Sequence, residues 1–351
     1  MSEIQIRNLI PPFHSGENTY TESLREILNE YVEFVKHNVT TESYIIKKIE
    51  NLNTSILLTI SDIKRANSQE AYARICKFVE EEKDNINLSI YILRSNTPLI
   101  RLRYSESDLL YRKDIFHIPN NMRYKVSQQR YSITGVPCLY LSGCAFTAWL
   151  ELNKPNFSNL WCSGFRANKE VKVLDLAIRL DSIINEKNNL GKLIFYPLVI
   201  ATSYSTKHPL SPFREEYIIS NILLQSIINC SDLSGIRYFS TKISNYQPQY
   251  AWMASNFVIP ACNFEGEYDK DLCSSFLLTH PQPCTTLIHS PNIGGVSCMG
   301  MPMDEIHDKN DLKEGINHFE PRIFEWYTAT QFFNIDGYLR NDIAYLPIEC
   351  F

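Results

Sequence analysis

The stretch from Arg130 to Glu151 constrains this chain more than any other. It reads Arg130-Tyr131-Ser132-Ile133-Thr134-Gly135-Val136-Pro137-Cys138-Leu139-Tyr140-Leu141-Ser142 and passes at once into an Ala-rich segment ending Trp149-Leu150-Glu151. Thr134-Gly135 is a turn signal. The strand that follows alternates and puts Cys138, Tyr140 and Ser142 on one face. Ser142 and Gly143 end that strand and permit a helix to start. On the helix, Thr147, Ala148 and Glu151 share a stripe at three- and four-residue spacing, while Trp149 and Leu152 point elsewhere. The small Thr147 and Ala148 would let a ligand come close beneath the glutamate, so Tyr140 and Glu151 can face one cleft. A turn, a strand and a helix thus carry one arginine, one tyrosine and one glutamate. An anionic, aromatic substrate that breaks through a cationic transition state needs those three groups. Taken singly each is ordinary, since a strand tyrosine usually packs and a helix glutamate usually faces solvent.

The rest of the chain bounds what that unit can belong to. At 351 residues it is long enough for two or three folding units with ample core. Its 44% hydrophobic and 21% charged residues are ordinary for a globular protein and unlike a disordered one. A net charge of −5 argues against a broad nucleic-acid face and leaves room for a local basic pocket. No basic stretch followed by an apolar run opens the sequence, and no window approaches about 18 consecutive apolar residues. A cytoplasmic protein without a membrane span is therefore expected. Its ten cysteines include no Cys-x-x-Cys pair, and Cys262, Cys273 and Cys284 fit no zinc spacing. Scattered reduced thiols and no metal are expected.

Periodicity divides the chain into three: a helical domain over 1–95, an α+β core over 96–262, and an extension over 263–351 packed on that core. Over 18–93, Leu24, Ile27, Leu28, Tyr31, Val32, Phe34 and Val35 lie at helical spacing, as do Ile45, Ile46, Ile49, Leu52, Ile56, Leu57, Ile60 and Ile63 of a second helix over 43–67. A third runs from Ser68 through Ala71, Ala73, Ile75, Phe78 and Val79 to the acidic Glu80-Glu81-Glu82, read as a solvated helix end. From Ser95-Asn96-Thr97-Pro98 onward the texture changes to short β-type runs at 99–104, 136–141, 171–174, 193–200, 236–239 and 257–259. Helices at 144–152 and 217–229 interrupt them. No GxGxxG after a strand and no GxxxxGK is present, which excludes a classical dinucleotide fold or P-loop. After Ala261 come Pro281, Pro283, Pro291 and Gly294-Gly295, then a more regular ending from Pro321.

Several ordered motifs over about 160 residues, from Leu99 to Pro260, resemble the RES domain. That family is named for its Arg, Glu and Ser, and comprises bacterial NAD-consuming toxins related in fold to ADP-ribosyltransferases. Leu99-Ile100-Arg101-Leu102-Arg103 matches its leading strand; Arg101 and Arg103 both fit the first arginine, with Arg101 favoured. Phe116-His117-Ile118-Pro119 leads into Gln129-Arg130-Tyr131-Ser132, similar to the longer members. Gly135-Val136-Pro137 with Leu139-Tyr140-Leu141 matches the Gly-x-Pro and Tyr-Leu core, and Ala148 with Glu151 the Ala-x-x-Glu helix. Glu216-Tyr217-Ile218-Ile219, Gly235-Ile236-Arg237-Tyr238-Phe239-Ser240 and Asn256-Phe257-Val258-Ile259-Pro260 resemble the later helix and strands. Ser220 departs from the proline or small residue common at its place. The helical start and everything from Cys262 onward lie outside the resemblance.

The resemblance implies an ADP-ribosyltransferase-like mixed β core and NAD as substrate, with no cofactor besides. The bond from nicotinamide nitrogen to ribose C1′ breaks with positive charge moving onto the ribose, an oxocarbenium-like transition state of the kind met in glycosidases. Glu151 would steady that charge, Tyr140 would position the nicotinamide ring or its ribose, and Arg101 and Arg130 would grip the pyrophosphate. Ser240 would orient Glu151 or the nicotinamide amide, while Arg103, His117, Tyr131 and Tyr217 would line the substrate pocket. Water or inorganic phosphate would be the acceptor. Two further readings stay open: transfer of ADP-ribose to a protein or nucleic acid, and an NAD sensor that does not turn it over. An unrestrained NAD consumer harms its own cell, so a separately encoded antitoxin or the terminal segments would restrain it. The oligomeric state is open, a homo-oligomer included.

Overall fold

The computed structural model describes residues 6–82, 89–95, 97–185, 191–229, 233–243, 251–287, 327, 330–341 and 344–348. Its first half holds helices α1 (Tyr20–Asn38), α2 (Ser43–Lys64) and α3 (Ser68–Glu81), strands β1 (Ile90–Leu93), β2 (Leu99–Tyr104) and β3 (Cys138–Ser142), then helix α4 (Ala145–Glu151). Strands β4 (Leu160–Ala167) and β5 (Val171–Asp175) follow, then helices α5 (Leu180–Asn185), α6 (Gly191–Thr202) and α7 (Ile218–Asn229) and strands β6 (Gly235–Phe239) and β7 (Ser255–Pro260). The rest comprises β8 (Phe264–Glu265), β9 (Tyr268–Asp269), α8 (Lys270–Ser275), β10 (Phe276–Leu278), β11 (Gln282–Pro283), α9 (Cys284–Leu287) and α10 (Gln331–Asn341). The class is α+β. Two compact units, each assembled from three separate segments, share the chain.

One unit takes Met1–Tyr91, Ser127–Gly135 and Lys172–Thr241. Its helix α1 starts in a capping box: Thr19 Oγ1 accepts from the Glu22 N–H, and Glu22 returns a carboxylate oxygen to the Thr19 N–H at 2.9 Å. Leu24, Leu28, Tyr31, Val32 and Val35 form its buried face, as the spacing predicts. Ile45, Ile49, Leu52, Ile56 and Ile60 do the same for α2, and Ala71, Ile75, Phe78 and Val79 for α3. The run 193–200, expected as a strand, is instead part of helix α6, which is buried along its length and tolerates Pro197 inside. A continuous apolar run carries no period, so a buried helix and a buried strand read alike. Three tyrosines bridge other segments to the backbone around this helix: Tyr31 to the Leu193 carbonyl at 2.7 Å, Tyr20 to that of Ala201 at 2.7 Å, and Tyr196 to that of Leu9 at 2.6 Å. Strands β5 and β6 pair in parallel, with Val173 opposite Gly235. The expected helical stretch 18–93 also ends differently, in strand β1.

The other unit takes Ile92–Val126, Val136–Val171 and Lys242–Phe351. Its strands run in the order β7-β3-β2-β4-β10, every neighbour antiparallel, with β11 also on β4. Strand β4 was not foreseen; nearly every residue in it is buried, so it shows no alternation. Strand β7 is buried throughout. Pro281 and Pro283 fall beside and within β11, whereas Pro291, Gly294-Gly295 and Pro321 lie outside the described residues.

Between β3 and α4 the chain passes Gly143, whose N–H donates to the Ser255 carbonyl at 2.9 Å. A Cβ there would run into the Trp252 carbonyl, which is main chain and cannot swing aside. Gly143→Ala is therefore expected to destabilise the protein by about 1–3 kcal/mol or more, read as a lowered urea midpoint. An unchanged midpoint would mean that the strand-to-helix turn is not so tightly set.

Candidate active site

Strand β3 carries Tyr140 and links Glu151 and Arg101 to it. Its register sets Ser142 opposite Asn256 and Tyr140 opposite Val258 on β7, so Tyr140, Ser142 and Asn256 share a face. Ser142 Oγ donates to Asn256 Oδ1 at 2.6 Å, and Asn256 Nδ2 donates to Glu151 Oε1 at 2.7 Å. Ser142 and Asn256 are buried, whereas Glu151 is exposed. One carboxylate oxygen is thus aimed from a rigid strand pair, and the other makes no hydrogen bond among the described residues. At the helix end, Lys242 Nζ donates to the carbonyls of Leu150 at 2.7 Å and Glu151 at 3.3 Å. A cation there suits the negative end of the helix dipole.

Arg101 sits on the adjoining strand. Strand β2 follows β4 along its whole length and meets β3 at Ile100 opposite Ser142. Two residues along β3 from that pair, the link is a side chain: Arg101 Nη1 donates to the Tyr140 carbonyl at 2.8 Å. Its Nε is buried and makes no hydrogen bond among the described residues. Burial, and secondly the neighbouring Arg103, lower its pKa to about 10, so it stays a cation at neutral pH. No carboxylate pairs with it among the described residues. Arg103 donates to the Asp114 carbonyl. His117 is buried with both ring nitrogens engaged: Nδ1 donates to the Ile118 carbonyl at 2.9 Å, and Nε2 accepts from the Asp269 N–H at 3.1 Å. Cys138 and Cys144 are pushed up to about 12, chiefly by burial, and stay protonated thiols at neutral pH.

The remaining candidates belong to the first unit. Arg130 is buried and donates to the Thr202 carbonyl at 2.8 Å, the Tyr204 carbonyl at 2.6 Å and Thr241 Oγ1 at 3.1 Å. Thr202 is the last residue of α6, so this guanidinium caps a helix C-terminus. The Tyr217 ring lies 5.0 Å from the Arg130 guanidinium and 5.2 Å from that of Arg214. Tyr131 packs its ring 4.5 Å from Tyr238, and burial pushes its phenol up to about 12. Ser240 is buried just after β6.

The structure therefore joins Arg101 and Tyr140 directly, and ties Glu151 to the same strand through Asn256 and Ser142. Sequence reading missed Asn256 and Lys242 as partners of the helix. An asparagine inside the otherwise apolar run Asn256–Pro260 was a usable signal, because a buried amide must find partners.

No family model and no solved structure matches the chain. It is 27% identical over 266 residues to a Bacillus subtilis (strain 168) protein named "Putative toxin YopC". That similarity covers 70% of this chain and 59% of the relative. Among the described residues, no helix is long and apolar enough to cross a membrane.

The state of His117 carries a pH dependence. Burial chiefly lowers its pKa to about 4, against about 6.5 for an unfolded histidine. The unfolded chain then binds more protons across this window. The stability His117 contributes is complete above about pH 6.5 and is lost as pH falls toward about 4. His117→Gln is expected to flatten that part of a stability-against-pH curve measured by urea unfolding; an unaltered slope would show that another group sets it.

Proposed function

We propose that this protein is a toxin-type enzyme that cleaves the nicotinamide–ribose bond of NAD. The observation that carries the reading is the half-anchored Glu151 carboxylate: Asn256 fixes one oxygen, while the other remains available to a substrate. In NAD the pyridine nitrogen already bears positive charge, so nicotinamide leaves with the bonding electron pair as a neutral molecule. The ribose C1′ is left electron-poor, and no general acid is needed. A carboxylate held beside C1′ or the 2′-hydroxyl steadies that charge, a preorganised contribution on the order of 3–4 kcal/mol. Tyr140, on the same strand face as Asn256, offers a ring to the nicotinamide or its ribose.

Arg101 suits the pyrophosphate. A half-buried guanidinium without a carboxylate partner among the described residues gains from an anion in a way that a paired one does not. Arg103 and His117, engaged with main-chain groups, are read as supports for this strand and its flanking turn. Water as acceptor gives ADP-ribose and a proton, and inorganic phosphate gives the 1-phosphate of ADP-ribose. The similarity to a protein named as a toxin supports a harmful activity, and with it a separately encoded inhibitor that binds this chain.

Purified full-length protein mixed with NAD should release nicotinamide, measured by chromatography. Glu151→Gln, which keeps an oxygen for Asn256, should slow release by about 100- to 1000-fold with an unchanged melting curve. Equal turnover by the folded variant would refute the assignment of Glu151.

A further inference from the structure

Helix α4 has seven residues, and the residue at its N-cap, Cys144, supplies no side-chain cap. Its thiol engages Thr147 and the Met253 carbonyl instead. The cap comes from 191 residues away: Asp336 Oδ1, on α10, accepts from the Ala145 N–H at 2.8 Å. The other carboxylate oxygen accepts from the Tyr327 hydroxyl and lies 3.8 Å from Arg340 Nη2. Arg340 in turn donates to the Gly143 carbonyl at 3.2 Å and lies over the Trp252 ring. Phe332 of α10 packs its ring 5.3 Å from Phe146 and 5.2 Å from Trp149. One helix therefore holds the entry of α4 at two main-chain groups and along an aromatic face.

We infer that Asp336 is a positioning residue, setting through its cap on Ala145 where Glu151 lies. A helix this short does not hold itself, so its ends decide its pose. Ala145 and Glu151 are about 9 Å apart along the axis, so a tilt of about 10° at the cap displaces the carboxylate by about 1.5 Å. Displacements of that size cost a reaction about 100-fold. The carboxyl is kept in place at an energetic cost, since burial raises its pKa to about 6 against the opposing effects of Arg340, Tyr327 and Ala145. A surface cap would have avoided that cost, whereas an acceptor delivered from α10 adds a main-chain tie at the first N–H to the aromatic packing of Phe332 on the glutamate's helix.

The kinetic part of this inference rests on the NAD-cleaving reading; the structural part does not. The test therefore pairs two measurements on the full chain, NAD turnover and amide hydrogen exchange across residues 143–152, in Asp336→Ala and Asp336→Asn. The alanine variant should exchange faster at Ala145 and the two amides after it. Its kcat should drop by about tenfold to a hundredfold, with KM within about twofold of the wild type. Asparagine keeps an oxygen for the Ala145 N–H and should restore both. If the alanine variant does not fold, the asparagine variant decides alone: exchange and kcat near wild type support the cap, and loss of both overturns it. Wild-type exchange in a folded alanine variant overturns the inference as well. A wild-type chain that leaves NAD intact would sink the proposed activity and leave the exchange result to judge the cap.

Discussion

The hydrogen bond from Asn256 Nδ2 to Glu151 Oε1, 2.7 Å long, joins the last residue of a short helix to a fully buried strand. Its geometry is over-determined on the strand side, because Asn256 also accepts from Ser142 across the ladder. On the helix side, Asp336 holds the first N–H, Lys242 holds the last carbonyls, and Gly143 permits the turn. Each group compensates for something a seven-residue helix lacks, whether a cap, length or an anchor. An exposed carboxylate at the end of such a helix would otherwise sample many positions. Here it is given one.

The electrostatic setting has the matching character. Arg101 is a half-buried cation bonded to the main chain of β3, and Glu151 is an anion tied by an amide to that strand and its neighbour. Among the described residues neither forms an ion pair, with the other or elsewhere. Arg130 and His117, by contrast, are engaged by carbonyls, a hydroxyl and a main-chain amide. Charge of both signs, the arginine on β2 and the glutamate at the end of α4, is what a substrate carrying an anionic linker and a developing cation would use.

The helical start was legible because amphipathic helices write their buried face into the sequence every three to four residues, and α1, α2 and α3 bury most of the residues that spacing picked out, leaving Ile27, Ile46, Leu57 and Ile63 half-buried and Ala73 exposed. The turn, strand and helix from Thr134 to Glu151 were legible for a similar reason, with punctuation at Gly135 and Gly143. Strand β4 and helix α6 were not: β4 mixes Ser163, Gly164 and Arg166 into a strand buried nearly throughout, and α6 is a continuous apolar run, so neither carries the period that separates strand from helix. The partners of α4 were hidden by distance. Asn256 and Asp336 lie 105 and 191 residues from the groups they bind, and nothing local in a sequence encodes such a pairing. Arg130 was visible as an arginine on a turn, but its position at the end of α6 depended on first recognising that run as a helix.

The central claim is that a carboxylate aimed in this way breaks a glycosidic bond in NAD. The most direct measurement is a product analysis by chromatography and mass spectrometry, following NAD with the wild-type chain in phosphate-free buffer and again with inorganic phosphate. The account predicts one nicotinamide for each NAD consumed, with the remainder recovered as ADP-ribose or, in phosphate, as its 1-phosphate. NAD recovered intact under both conditions, from protein shown to be folded, would contradict it.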